Sequence, residues 1–128
     1  MEAPERPAFS IRSRGRSFTF AWRGLRRFAA TQHNAWIHTA ATLAVIAAAA
    51  ALRISREDWR WIVLAIAMVW VAEALNTAVE QLGDAISLAP NERIGFAKDV
   101  AAGAVLAAAV AAALIGLLTL GPYLLAML

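Results

Sequence analysis

Three carboxylates and one amide recur at helical spacing directly after the apolar run from Trp61 to Ala72. They are Glu73, Asn76, Glu80 and Asp84, at successive offsets of three, four and four residues. At about 100° per residue, these offsets place all four side chains within roughly 80° of one helical face. Carboxylates accept protons and bind hard cations, and acids at the edge of a membrane segment are costly. We therefore expect the chemistry of the chain on this face.

A second polar pair, Lys98 and Asp99, stands at the start of the last apolar stretch, after a loop that contains the helix breakers Pro90 and Gly95. A lysine ammonium suits phosphate, and the N–H groups of a helix start add to an anion site. Asp99 cannot share the face of Lys98. It could accept a hydrogen bond from a ribose hydroxyl, hold a cation or cap the helix.

Both features also have a structural explanation. Helix packing with internal hydrogen bonds would account for Asn76 and Glu73, and an ordinary charged helix start would account for Lys98 and Asp99. We favour the functional interpretation of the acidic face, because four such groups exceed what packing needs.

Composition indicates one small membrane domain. The chain has 128 residues, of which 61% are hydrophobic, and it has no cysteine, so disulfides and thiol chemistry are excluded. Its mean hydropathy is +0.60. His33 and His38 lie five residues apart, off the spacing of a shared metal site on one helix, so we interpret them as interfacial polar residues. No apolar core with a small-residue cleavage site follows the early arginines, so we expect no secretory signal peptide.

Three stretches are apolar enough to cross a bilayer, which takes about 20 residues. They run from Ala35 to Leu52, from Trp59 to about Val79 and from Ala97 to about Leu120. We expect residues 1–16 to form a flexible basic tail and residues 17–128 to form a single membrane-embedded domain.

Residues 17–32 combine aromatic and basic side chains in the pattern of an amphipathic helix. We expect this helix to lie in the membrane surface, with Phe20 and Trp22 at the level of the lipid headgroups and Arg16 near anionic lipid phosphates. Seven arginines precede the first span, so the positive-inside bias predicts a cytoplasmic N-terminus. Three spans then bring Glu80, Asp84 and the Lys98–Asp99 pair together at the cytoplasmic face.

Four blocks of the chain resemble one family. They are Phe-Ala-Trp-Arg-Gly-Leu from Phe20, Gln-His-Asn-Ala-Trp-Ile-His from Gln32, Glu-Ala-Leu-Asn-Thr-Ala-Val-Glu-Gln-Leu-Gly-Asp from Glu73 and Ala-Lys-Asp-Val-Ala-Ala-Gly-Ala from Ala97. They are similar to the prokaryotic diacylglycerol kinase and undecaprenol kinase family, over about Ser17 to Leu118. The last two blocks are specific when they occur together.

The resemblance implies an all-α membrane protein with an amphipathic surface helix and three transmembrane helices, assembled as a homotrimeric bundle in the bacterial inner membrane with active sites shared between subunits. It makes Glu73 the catalytic base, Glu80 a ligand of the Mg²⁺ that accompanies ATP, and Lys98 and Asp99 contacts of the nucleotide. Asn76 and Asp84 become supporting residues of the same face.

The chain also departs from the family pattern. Gln32 stands where related diacylglycerol kinases carry a second metal-binding glutamate, so the resemblance assigns it with Glu80 to metal and ATP, although an amide is a poorer Mg²⁺ ligand than a carboxylate. Trp36 replaces an arginine, and the Glu, aromatic, His triplet of the loop is replaced by Ala89, Pro90 and Asn91.

From the resemblance we expect ATP-dependent phosphorylation of a membrane lipid alcohol, with diacylglycerol as the leading acceptor and undecaprenol as the alternative. The expected partners are ATP, Mg²⁺, the lipid and the bilayer, and no nucleic acid. Two other classes stay open. One is a non-catalytic membrane scaffold of the same fold, and the other is a small transport or channel subunit whose acids bind cations.

Overall fold

The chain folds into four helices. The computed structural model describes residues 11–31 and 33–128. Its elements are α1 (Ile11–Thr31), α2 (His33–Ala51), α3 (Arg56–Ile86) and α4 (Glu92–Leu125), and the described residues form no strand. Three of these helices are long and apolar enough to cross a membrane, over Asn34–Ala51, Arg56–Ile86 and Glu92–Leu125. The predicted all-α membrane fold with three spans is confirmed.

Helix α1 forms one unit of the chain, and the segment from Gln32 to Leu128 forms the other. Residues 11–16, which we assigned to a flexible tail, lie in the first turns of α1, and residues 1–10 and Gln32 lie outside the described residues. Arg16, Phe20 and Trp22 are all exposed on α1. The Arg23 guanidinium lies 5.6 Å from the centroid of the Phe20 ring. The side chains predicted to meet lipid are therefore accessible, while the surface position of α1 stays a prediction.

The other unit is built on α3, which runs antiparallel to α4 and packs against α2 over a smaller area. Its core at one end of the bundle consists of Ala49, Ile54 and Ile62. Partly buried side chains from all three helices and the link surround them: Val45, Leu52, Trp59, Ile66, Leu120 and Tyr123. Most large apolar side chains elsewhere on the three helices point outward. This is the pattern expected when lipid or another subunit covers the helices.

The short link between α2 and α3 closes the same end. Arg53 adopts a φ of 52°, in the left-handed region that favours glycine. The Ile54 N–H donates to the Ala49 carbonyl at 3.3 Å and the Arg53 N–H donates to the Ala50 carbonyl at 3.2 Å. These two bonds form a Schellman cap, which ends α2 and turns Ile54 into the core. Ser55 then caps α3 by accepting from the Asp58 N–H at 3.1 Å.

Tyr123 fastens the last turn of α4 to this cap. Its hydroxyl donates to Asp58 Oδ2 at 2.5 Å and accepts from the Ser55 N–H at 3.0 Å. The helix pair is thus pinned by polar contacts at the end opposite the acidic face of α3.

Candidate functional site

The four polar residues of the predicted acidic face all lie on α3, and their exposure increases along the helix. Glu73 and Asn76 are 2% and 4% exposed, Glu80 is half-buried and Asp84 is exposed. Burying a carboxylate among apolar helices is expensive, so the position of Glu73 requires compensation by a partner or by function.

Asn76 and Glu80 form a pair within this face. The Asn76 Nδ2 group donates to Glu80 Oε1 at 3.1 Å. Asn76 Oδ1 is buried and has no hydrogen-bond partner among the described residues. An unpaired buried acceptor costs about 1 to 3 kcal/mol, so this oxygen is suited to a donor from outside the chain.

Asp84 and Lys98 meet at the far end of the face, where α3 and α4 approach closely. Lys98 Nζ donates to Asp84 Oδ1 at 2.5 Å. The approach depends on Gly83, because a Cβ atom there would lie 2.9 Å from both Ile94 Cγ2 and Lys98 Cε. Because Gly83 has no side chain, the aliphatic part of Lys98 can pass over α3 at this point and reach Asp84.

The start of α4 differs from the sequence prediction. The loop covers residues 87–91, and α4 begins at Glu92 rather than at Ala97, so Gly95 lies inside α4 instead of breaking it. Asn91 is the cap, since its Oδ1 accepts from the Arg93 and Ile94 N–H groups at 3.0 and 3.1 Å. Lys98 consequently lies in the second turn, away from the helix-end N–H groups. Asp99 is exposed beside it and does not cap the helix.

His38 of α2 is a neighbour of Glu73 that the sequence did not reveal. Its Nε2 lies 3.7 Å from Glu73 Oε2, and the exposed fractions of the two side chains are 19% and 2%. Our interpretation of His38 as an interfacial polar residue did not include this contact. The two residues are far apart in the chain and meet only because α2 packs antiparallel to α3, a register that local patterns do not encode.

The donor set of this face suits a magnesium ion held together with substrate phosphates. The described residues contain no group of three or more His, Asp or Glu side chains placed to hold a metal. Mg²⁺ commonly takes one or two carboxylates and completes its shell with phosphate oxygens and water, so Glu80 beside Asn76 supplies oxygen donors of the right kind. Gln32, the other predicted ligand, lies outside the described residues.

Comparison with known proteins identifies the family. The sequence profile described as prokaryotic diacylglycerol kinase matches residues 19–120. The chain belongs to this family. The matched region includes the whole acidic face of α3 and the Lys98–Asp99 pair.

Two members of the family are similar to this chain over most of its length. A diacylglycerol kinase from Synechocystis sp. is 41% identical over 113 residues, which cover 88% of this chain and 65% of that relative. An undecaprenol kinase from Bacillus subtilis is 38% identical over 107 residues, which cover 84% of this chain and 87% of that relative. The two names differ in the lipid that is phosphorylated.

Proposed function

We propose that the protein is a lipid kinase that transfers the γ-phosphoryl group of ATP to the hydroxyl of a membrane lipid alcohol, with diacylglycerol as the first candidate acceptor. The observation that carries the proposal is the graded acidic face of α3. The carboxylate of Glu73 is buried on this face, and the Lys98 ammonium contacts Asp84 at the exposed end of the same face. The buried end suits a membrane lipid, and the exposed end suits a water-soluble nucleotide. Undecaprenol is the second candidate, because an undecaprenol kinase is also among the relatives.

The proposed reaction assigns one role to each part of the face. Glu73 takes the proton of the lipid hydroxyl while the oxygen of that hydroxyl attacks the γ-phosphorus. The bond between the γ-phosphorus and the β,γ-bridging oxygen breaks, and ADP leaves. Lys98 holds the phosphates and offsets their charge, with Asp99 as a further nucleotide contact. Phosphoryl transfer requires little covalent chemistry of the protein beyond this positioning and charge stabilisation.

Asn76 and Asp84 support these groups. The Asn76 Nδ2 group donates to Glu80 Oε1 at 3.1 Å, and the unpaired Asn76 Oδ1 can accept a hydrogen bond from a bound water. Asp84 holds the Lys98 ammonium. Glu80, with Gln32 as the second proposed ligand, would hold Mg²⁺, which when bound neutralises charge on the phosphates.

The proposed setting is the inner membrane with a cytoplasmic N-terminus, so that the nucleotide end of the face meets the compartment that contains ATP. We also propose a homotrimer with active sites shared between subunits. The outward apolar faces support it, as does Gly116 of α4, where an added Cβ would meet nothing within 4 Å in the single chain. Small residues on a membrane helix allow close approach of another helix.

The proposal is tested with purified protein in mixed micelles, γ-labelled ATP, Mg²⁺ and separate samples of diacylglycerol, undecaprenol and ceramide. We expect label in one of the first two lipids. Glu73→Gln should abolish the transfer while the protein stays folded and assembled, because the amide keeps the shape of the side chain but cannot accept the proton. Absence of label in every lipid would favour the scaffold, and full activity of Glu73→Gln would remove the base assignment.

A further inference from the structure

We propose that His38 is a positioning residue that fixes the carboxylate of Glu73 from the neighbouring helix. This inference rests on the proposed kinase function and assigns a role to a residue outside the acidic face. Among the described residues, His38 is the only basic side chain within 4.0 Å of the Glu73 carboxylate. Removing one partner of a buried charged pair leaves the other without compensation, so the Glu73 carboxylate is sensitive to changes at His38.

The ring of His38 is itself held in place. Trp70 packs against it in an edge-on arrangement, with ring centroids 6.5 Å apart and an interplanar angle of 61°. The Trp70 Nε1–H group donates to Thr42 Oγ1 at 3.0 Å. Thr42 lies one turn after His38 on α2, and Trp70 lies three residues before Glu73 on α3. The two helices are thus joined at two successive levels, by a hydrogen bond and by the histidine–carboxylate contact.

The distance between the two groups fits a contact that tightens on substrate binding. A hydrogen bond between nitrogen and oxygen spans about 2.7 to 3.2 Å, and catalytic hydrogen bonds are often longer before the substrate binds. At 3.7 Å, a small rotation of either side chain brings Nε2 within reach of Oε2. Engaging Oε2 in this way leaves Oε1 as the atom that takes the proton of the lipid hydroxyl.

Steady-state kinetics separates positioning from support of the fold. His38→Leu removes the donor, His38→Gln keeps an amide donor, and Thr39→Ala is the matched control, because the Thr39 hydroxyl donates to the Ala35 carbonyl of its own helix. We expect His38→Leu to lower kcat by at least about tenfold with the KM for ATP unchanged, and His38→Gln to recover a large part of the loss. Wild-type turnover in His38→Leu, equal losses in both His38 variants, or a parallel change in KM and unfolding temperature would overturn the proposal.

A spectroscopic measurement tests the contact without turnover. The chain has two histidines, so the side-chain nitrogen resonances of His33 and His38 can be assigned with a His33→Gln variant. In Glu73→Gln, the His38 Nε2 resonance should shift while that of His33 stays in place. An unmoved His38 signal would refute the contact. If the wild-type protein phosphorylates no lipid but the His38 signal still shifts, the kinase proposal fails and the contact stands.

Discussion

Gly83→Ala is predicted to weaken ATP binding through steric displacement of Lys98. The new Cβ atom would lie 2.9 Å from Ile94 Cγ2 and from Lys98 Cε, whereas ordinary contacts begin at 3.4 Å. Ile94 Cγ2 is attached directly to the branched Cβ of its residue and cannot swing far. Relief of the Ile94 contact therefore requires a small shift of α4, while Lys98 Cε, near the end of a flexible chain, moves away from Asp84.

The expected magnitudes follow from two opposing effects. Overpacking costs about 1 to 3 kcal/mol, and replacing a helical glycine with alanine recovers about 0.5 to 1 kcal/mol, so the fold should lose only about 1 kcal/mol. The Lys98 and Asp84 side chains are 33% and 49% exposed, so losing their contact adds little to the loss of stability. A displaced ammonium no longer meets the phosphates, and the KM for ATP should rise about fivefold to tenfold, equivalent to about 1 to 1.4 kcal/mol.

The assay measures initial rates against ATP at saturating lipid and Mg²⁺, together with thermal unfolding in the same micelles. Gly95→Ala is the matched control. Gly95 lies on α4 shortly before Lys98, and an added Cβ there would meet nothing within 4 Å. It should raise stability by about 0.5 to 1 kcal/mol and leave the KM unchanged. A folded Gly83→Ala protein with the wild-type KM would refute the steric argument and, with it, the role of Gly83 in placing the lysine.

Three further perturbations address the cap and the metal. Tyr123→Phe should lower the unfolding temperature, because Asp58 loses a donor and the Ser55 N–H loses an acceptor, while activity per folded molecule stays constant; equal thermal stability would contradict the role of Tyr123 in holding α4 to the start of α3. Arg53→Gly should raise the free energy of unfolding by about 1 kcal/mol, because glycine adopts the left-handed backbone of this position without strain. An unchanged unfolding temperature would contradict this expectation. Glu80→Gln should raise the Mg²⁺ concentration for half-maximal activity, and Gln32→Glu should lower it; magnesium titrations that coincide with wild type would exclude either residue from the metal site.

Local patterns were sufficient to predict the helices and the acidic face. The spacing of the polar residues between Glu73 and Asp84 matches the helical period, and the apolar stretches are long enough to cross a bilayer. The start of α4 was misplaced because we treated Gly95 as a breaker. A single glycine inside a helix costs only about 1 kcal/mol, and the Pro90–Asn91 pair before Glu92 is the stronger signal for a helix start.

The contacts between helices could not be predicted in this way. The meeting of His38 with Glu73 and the fit of Lys98 over Gly83 depend on which residues of two antiparallel helices share a level. The register of His38 with Glu73 is set by the packing of α2 on α3. The register of Lys98 with Gly83 is set by the packing of α3 on α4, from Tyr123 at one end to Gly83 at the other. The acidic residues, Asn76 and Lys98 were found from the sequence, while the contact of His38 with Glu73 and the close approach at Gly83 were not.

The length of α3 determines how far each substrate has to travel. A helix of 31 residues is about 46 Å long, and the hydrocarbon layer is about 30 Å thick. If the layer begins at Trp61, it ends near Glu80, and Glu73 lies about 10 Å below that boundary at about 1.5 Å per residue. For the proposed reaction, the nucleotide therefore needs to enter with its terminal phosphate leading, and its base can stay in water. The lipid needs only to bring its hydroxyl beside Glu73, so it stays in the bilayer and only the phosphate end of the nucleotide crosses the boundary.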